Sequence, residues 1–206
     1  MTSKQQPVAE RFLLDVSRHR MRVVRDDDVC RHLVFRNPES GINWFEVVTW
    51  PGVLTIRGDC GCYVFSRIDD MFEFFRGPVG RVNLDYWSQK VIADDRDGVK
   101  EFSKDIALQA LREEMEDWPE EVREEALEQV RLDDWGTGSG NEHEFYRFVY
   151  GFKEQSASGE TYEFSQPWER TVTDYTVRFQ WNCHAIVWAI AQYDALKQQA
   201  AAGAQA

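Results

Sequence analysis

WFEVVTWPGVLTIRGDCGCYVFSRIDDMFEFFR, Trp44 to Arg76, decides the fold. Two dense apolar runs, Trp44–Trp50 and Val53–Ile56, are followed by a third, Cys62–Phe65. Pro51-Gly52 punctuates the first pair of runs, and Gly58-Asp59 with Gly61 punctuates the second. Alternation and the β-branched and aromatic content predict strands for all three. After Ser66 the period changes. Met71, Phe72 and Phe75 follow helical spacing, with Asp69 and Asp70 where a first turn favours negative charge. The stretch reads as a β-meander running into a capped helix.

Upstream, residues 1–9 are polar and expected to fray. Glu10 to Val24 mixes Phe12, Leu13, Val16 and Val23 with arginines and fits helix or strand. Asp26-Asp27-Asp28 reads as a turn, Arg31–Arg36 as the first strand, and Asn37–Gly41 as a turn. Downstream, Gly77-Pro78 ends the first helix, and Asn83 or Asp85 caps a short one through Tyr86, Trp87 and Val91. Asp94–Gly98 is a charged loop. Ser103 starts a longer helix with Ile106, Ala110, Leu111 and Met115 on one face. Asp117-Trp118-Pro119-Glu120 breaks it and opens the next, which carries Val122, Ala126, Leu127 and Val130 inward. Glu142–Phe152 is a further helix. Gln155–Gly159 is a polar loop, and Trp168–Thr176 begins as a strand.

The strongest helix runs from about Asp174 to Gln199. Val177, Trp181, His184, Trp188, Ala191 and Ala195 mark one stripe; Phe179, Cys183, Ile186, Ile190 and Tyr193 mark another. Two apolar stripes predict burial on more than one side. The expected fold class is α+β. A small antiparallel meander over residues 31–66 packs against several helices, the C-terminal one largely buried. Residues 1–206 form one domain, with an acidic helical hairpin inserted at about 103–134 and a disordered tail at 200–206.

The chain has 206 residues, and its 43% hydrophobic and 14% aromatic content supplies a core. Net charge is −12. That argues against a nucleic-acid-binding surface built on phosphate neutralisation and against an anionic membrane; a cationic protein surface is the more natural partner. No apolar stretch approaches a membrane span, and the N-terminus lacks the apolar core of a signal peptide. Four irregularly placed cysteines, Cys30, Cys60, Cys62 and Cys183, predict a reduced, cytoplasmic setting rather than a disulfide scaffold.

From Arg112 to Asp134, eleven Asp or Glu stand against three Arg, a net −8. This segment is either a solvated face or a docking surface for a basic groove, such as that of a nucleic-acid-binding protein, since cations arranged for phosphates also accept carboxylates. Glu113, Glu114, Glu116, Glu120, Glu121, Glu124, Glu125 and Glu128 are the candidate partner-binding residues.

Other constellations are weaker. Cys60, Cys62, Cys183 and His184 offer thiol and imidazole ligands without a CxxC loop, and Cys183 and His184 diverge by about 100° on a helix. Asp59, Asp69 and Asp70 read as turn and helix-start residues. Gly136–Gly140 (GTGSG) lacks the Lys-Ser/Thr of a phosphate loop. No catalytic residue, metal ligand or cofactor is assigned. An alternative reading places a small-molecule or metal site, or an enzyme pocket, between the sheet and the C-terminal helix near Trp181, His184 and Trp188. Exposed aromatic residues on the sheet would instead support a homo-oligomer.

Three blocks, Thr49–Arg76 (TWPGVLTIRGDCGCYVFSRIDDMFEFFR), Asn83–Val91 (NLDYWSQKV) and Asp174–Lys197 (DYTVRFQWNCHAIVWAIAQYDALK), resemble an uncharacterised family of small accessory proteins carried by tailed bacteriophages and prophages. The resemblance implies expression in a bacterial host and, by analogy, binding to a host protein, including defence complexes as anti-CRISPR proteins do. It carries no activity and no catalytic residues.

Overall fold

The computed structural model describes residues 7–132, 141–165 and 171–204. The chain divides into two compact units, Met1–Val99 with Tyr175–Ala206, and Lys100–Asp174.

The first unit is built on a six-stranded antiparallel sheet in sequential order: β1 (Arg20–Asp27), β2 (Cys30–Arg36), β3 (Phe45–Trp50), β4 (Val53–Gly58), β5 (Gly61–Ser66) and β6 (Val91–Ala93). The meander falls where the alternation places it, and the strand before it matches Arg31–Arg36 within a residue. Pro51-Gly52 forms a two-residue loop, and Gly52 takes φ +81, a value open to glycine at little cost. Gly58 has a different reason. A Cβ there would lie 2.1 Å from the Trp44 carbonyl oxygen, so the backbone approach demands glycine.

Register aligns the core. Leu33 faces Val47, Val47 faces Ile56, and Ile56 faces Tyr63; all four are fully buried. Against this face packs α7 (Val177–Gly203), with α1 (Val8–Asp15) and α2 (Met71–Phe75) beside it. Phe12 and Phe45 meet Trp181 edge-on at 5.1 and 5.5 Å, Tyr63 meets Phe179 at 5.4 Å, and Phe72 meets Tyr193 at 5.4 Å. Each such fully buried side chain contributes about 1.5–3 kcal/mol. From Trp181 to Ile190 every α7 residue but Trp188 is buried, so the two predicted stripes merge into burial all round.

Side-chain caps set the helix starts. Asp70 accepts the Phe72 N–H, Asn83 that of Tyr86 at the start of α3 (Leu84–Ser88), and Thr176 that of Phe179. α7 therefore begins at Val177 rather than Asp174. Its far end corrects the expected disordered tail: Ala200–Gly203 continue the helix, as alanine favours. Gln205 and Ala206 lie outside the described residues. Three further expectations change. The ambiguous Glu10–Val24 resolves into α1 and most of β1; Asp26 and Asp27 end β1, leaving Asp28-Val29 as the loop; and Val91 belongs to β6 rather than a helix.

The second unit holds β7 (Lys100–Phe102), α4 (Lys104–Glu114), α5 (Glu120–Leu132), α6 (Asn141–Gly151), the short hairpin β8 (Glu154–Gln155) and β9 (Thr161–Tyr162), and most of β10 (Thr173–Tyr175), which pairs with β7. The expected hairpin at 103–134 is thus part of a longer insertion with its own apolar core. That core gathers Ala107, Leu111 and Met115, Val122, Ala126 and Val130, Phe145, Phe148, Val149 and Phe152, and Phe164 and Val172. The loop expected at Gln155–Gly159 is the turn of the β8–β9 hairpin. Gly136–Gly140 and Trp168–Arg170 lie outside the described residues.

Candidate functional site

Helix α4 starts at Ser103, whose hydroxyl accepts the Ile106 N–H. Its buried face is Ala107, Leu111 and Met115; Ile106 and Ala110, expected inward, are only half-buried. Helix α5 buries Val122, Ala126 and Val130, each four residues from the last, and leaves Leu127 half-buried. Between them Trp118 lies 4.9 Å from Phe164 and 5.9 Å from Phe152, which fixes the turn.

With those faces committed inward, the carboxylates point out. Glu113, Glu116, Glu120, Glu121, Glu124, Glu125 and Glu128 are all exposed. Three are partly satisfied: Gln109 donates to Glu113 at 2.8 Å, Gln129 to Glu125 at 3.0 Å, and Arg131 to Glu128 at 3.2 Å. Glu116, Glu120, Glu121 and Glu124 have no side-chain partner among the described residues. Glu120, Glu124 and Glu128 follow four-residue spacing, where each like-charge pair costs about 0.2–0.5 kcal/mol. Glu114 differs from the rest. It is half-buried and accepts the Ser165 hydroxyl at 3.0 Å, so it braces the second unit.

A groove of about 290 Å³ opens on the same face, lined by Arg112, Met115, Glu120, Arg123, Glu124 and Leu127. It combines an apolar floor, Met115 and Leu127, with charged walls. A chain lying across it meets two carboxylates and two guanidiniums at the rim and apolar surface below.

The weaker constellations disperse. Cys60 sits in the β4–β5 turn, where its carbonyl accepts the Asn182 amide at 2.7 Å. Cys62 pairs in register with Arg57, and Cys183 is fully buried in α7. Burial pushes the Cys60 thiol up to about 11, so it is a poor thiolate source. Asp70 is a cap and an ion-pair partner, whereas Asp59 and Asp69 are exposed. Among the described residues, no group of three or more His, Cys, Asp or Glu is placed to hold a metal ion. Among them, too, no helix is long and apolar enough to cross a membrane.

One feature escapes a reading of the sequence, and a second amends one. On the sheet, Glu46 bonds to His32 Nε2 at 2.8 Å and to Arg57 Nε. Burial opposes its charge, but these two bonds outweigh it and lower its pKa. In α7, His184, expected at a pocket with Trp181 and Trp188, instead lines an open groove of about 640 Å³ with Arg76, Arg81, Asn83, Trp87 and Gln180; neither tryptophan lines it. The one local signal for that cavity is the turn-rich connection Gly77–Val82 between two capped helices.

Comparison of the chain with protein-family models, with curated proteins and with solved structures gives no match.

Proposed function

We propose that this is a non-enzymatic binding protein whose acidic α4–α5 face docks on a basic surface of a host macromolecule. The partner that fits best is a nucleic-acid-binding protein complex, met in the bacterial cytoplasm. A phage or prophage accessory role, inhibiting a defence system, gives such docking a use.

One observation carries the reading: Glu116, Glu120, Glu121 and Glu124 are exposed without a side-chain partner among the described residues, and two of them, with Arg112 and Arg123, wall an apolar-floored groove. Glu120 and Glu124 repel at four-residue spacing, while Glu120 and Glu121 are favoured by the N–H groups of the first turn of α5, and a row of Lys or Arg would offset the repulsion on binding. Steering by such a face raises the association rate and makes it fall with salt.

The test is competitive. Nuclease-treated bacterial host lysate is passed over the wild-type protein and over a variant with Glu120, Glu121, Glu124 and Glu125 changed to Lys. Support is a partner retained only by the wild type, displaced by added DNA and by raised salt. Retention by both proteins, or release that ignores both salt and DNA, would overturn the proposal.

A further inference from the structure

The connection from α2 to α3 reads Arg76-Gly-Pro-Val-Gly-Arg-Val-Asn83, and Gly80 takes φ +89 within it. It walls one side of the 640 Å³ cavity. Pro7, Val8 and Ala9 at the start of α1 form another side, and Gln180 and His184 of α7 a third. Phe75, Val82 and Trp87 add apolar lining. All of these belong to the first unit, and the volume falls within the roughly 300–1,000 Å³ of small-ligand sites.

His184 is 7% exposed, its ring 6.1 Å from that of Phe12. Neither ring nitrogen bonds to a protein group among the described residues. The ring nitrogens of His184 are not among the fully buried atoms without a partner, so they reach the solvent of the groove, where a ligand atom can replace a water. Burial lowers the pKa of His184 and favours the neutral ring, with one donor and one acceptor to offer.

Charge specifies the ligand further. Among the described residues no carboxylate lines the groove itself, whereas Arg76 and Arg81 do; the nearest acid, Asp194, is bonded to Arg76. Arg76 spends Nε and Nη2 on Asp194, at 2.8 and 3.2 Å, which leaves Nη1. Arg81 is exposed and has no side-chain partner among the described residues. The Asn83 side-chain Oδ1 accepts the Tyr86 N–H, so its side-chain NH₂ is the group left to offer. In a chain of net charge −12, a recess with one guanidinium paired to Asp194 and a second, Arg81, without a partner among the described residues is a local site for an anion.

We infer that this cavity binds a small organic oxyanion. Its apolar body lies against Phe75, Val82 and Trp87, its carboxylate or phosphate is held by Arg81 with Arg76 and Asn83, and a polar edge bonds His184. The site is separate from the acidic face of α4 and α5 and stands or falls without it.

The experiment follows the histidine ring resonances and the melting temperature of the full chain. The probes are hexanoate, phenylacetate and phenyl phosphate at millimolar concentration, with benzyl alcohol and benzylamine as uncharged and cationic counterparts. The expected result is a saturable shift of the His184 signals with an anion and a higher melting temperature, neither seen with the counterparts. The stronger of the carboxylate and phosphate responses assigns the oxyanion. Arg81→Ala removes an exposed side chain outside the core and is expected to weaken binding about tenfold. Silence of the His184 signals toward all three anions, equal responses to benzyl alcohol, or unchanged affinity in Arg81→Ala would overturn the inference.

Discussion

Asp70 reaches Arg31 through both carboxylate oxygens, at 2.7 Å to Nη1 and 3.0 Å to Nη2, and the oxygen nearer Nη1 also accepts the Phe72 N–H at 2.9 Å. One side chain therefore starts α2 and fastens it to β2. Arg31 is 8% exposed, its guanidinium 4.6 Å from the Phe72 ring centre. Asp70→Asn keeps a good cap but deletes the charge, leaving Arg31 buried without its counter-ion. The expected loss is about 3 kcal/mol in urea unfolding, the lower end for a broken buried pair, because Asp26 and Tyr193 remain nearby. A loss under about 1 kcal/mol would show that the pair behaves as a hydrated surface bridge.

Stability should fall in two separate pH windows. The first belongs to His184. Burial lowers its pKa in the folded state, while the unfolded chain protonates near the ordinary value of about 6.5. As pH drops below that value the unfolded state holds more protons, so stability declines until the folded ring also protonates; above about pH 7 the residue contributes no slope. The second window belongs to Asp70, Glu46 and Asp26, whose folded pKa values all lie below the ordinary range. Their stabilisation is present above about pH 4 and is lost as pH falls through the folded values. Urea midpoints measured from pH 8 to pH 3 should show both declines, and His184→Gln should flatten only the upper one.

The legible parts of this fold are those specified locally. Alternation placed β4 and β5, which bury every second residue, and the dense apolar run placed β3; Asp70, Asn83 and Ser103 sit immediately before the helices they cap. β1 was not legible: four of its eight residues are Arg or Met, and the register shift between Val23 and Arg25 breaks the alternation. The start of α7 was misplaced because Asp174 and Tyr175 belong to β10, a pairing with residues more than 70 positions away. The acidic row could be counted from sequence, but the role of Glu114 could not, since Ser165 lies 51 residues downstream. The His184 cavity draws on residues 7–9, 75–87 and 180–184, whose proximity no local pattern encodes.

Glu124→Lys should separate stability from binding. Residue 124 stands four positions from both Glu120 and Glu128 on α5, so the change turns two repulsive pairs into two attractive ones. The expected gain is about 0.8–2 kcal/mol in urea unfolding, two pairs each changing sign. The same substitution reverses a charge on the groove wall, so affinity for a basic partner should drop and its salt dependence should flatten. A variant that is more stable and binds as well as the wild type would exclude the α5 face from docking.

The two units should separate by excision. The Val99 carbonyl accepts the Thr176 N–H at 3.0 Å, and the Gly98 carbonyl accepts the Tyr63 hydroxyl at 3.1 Å and that of Thr176 at 3.3 Å. The chain thus leaves the first unit and returns to it within hydrogen-bond distance. A few glycines can join Val99 to Tyr175 without moving either end. The six strands, α1, α2, α3 and α7 then remain continuous, with their buried aromatic contacts all internal. Such a chain should unfold in one cooperative urea transition, keep the His184 response to small oxyanions, and lose retention of a basic partner. A non-cooperative transition would mean that the sheet and α7 depend on Lys100–Asp174 for their packing.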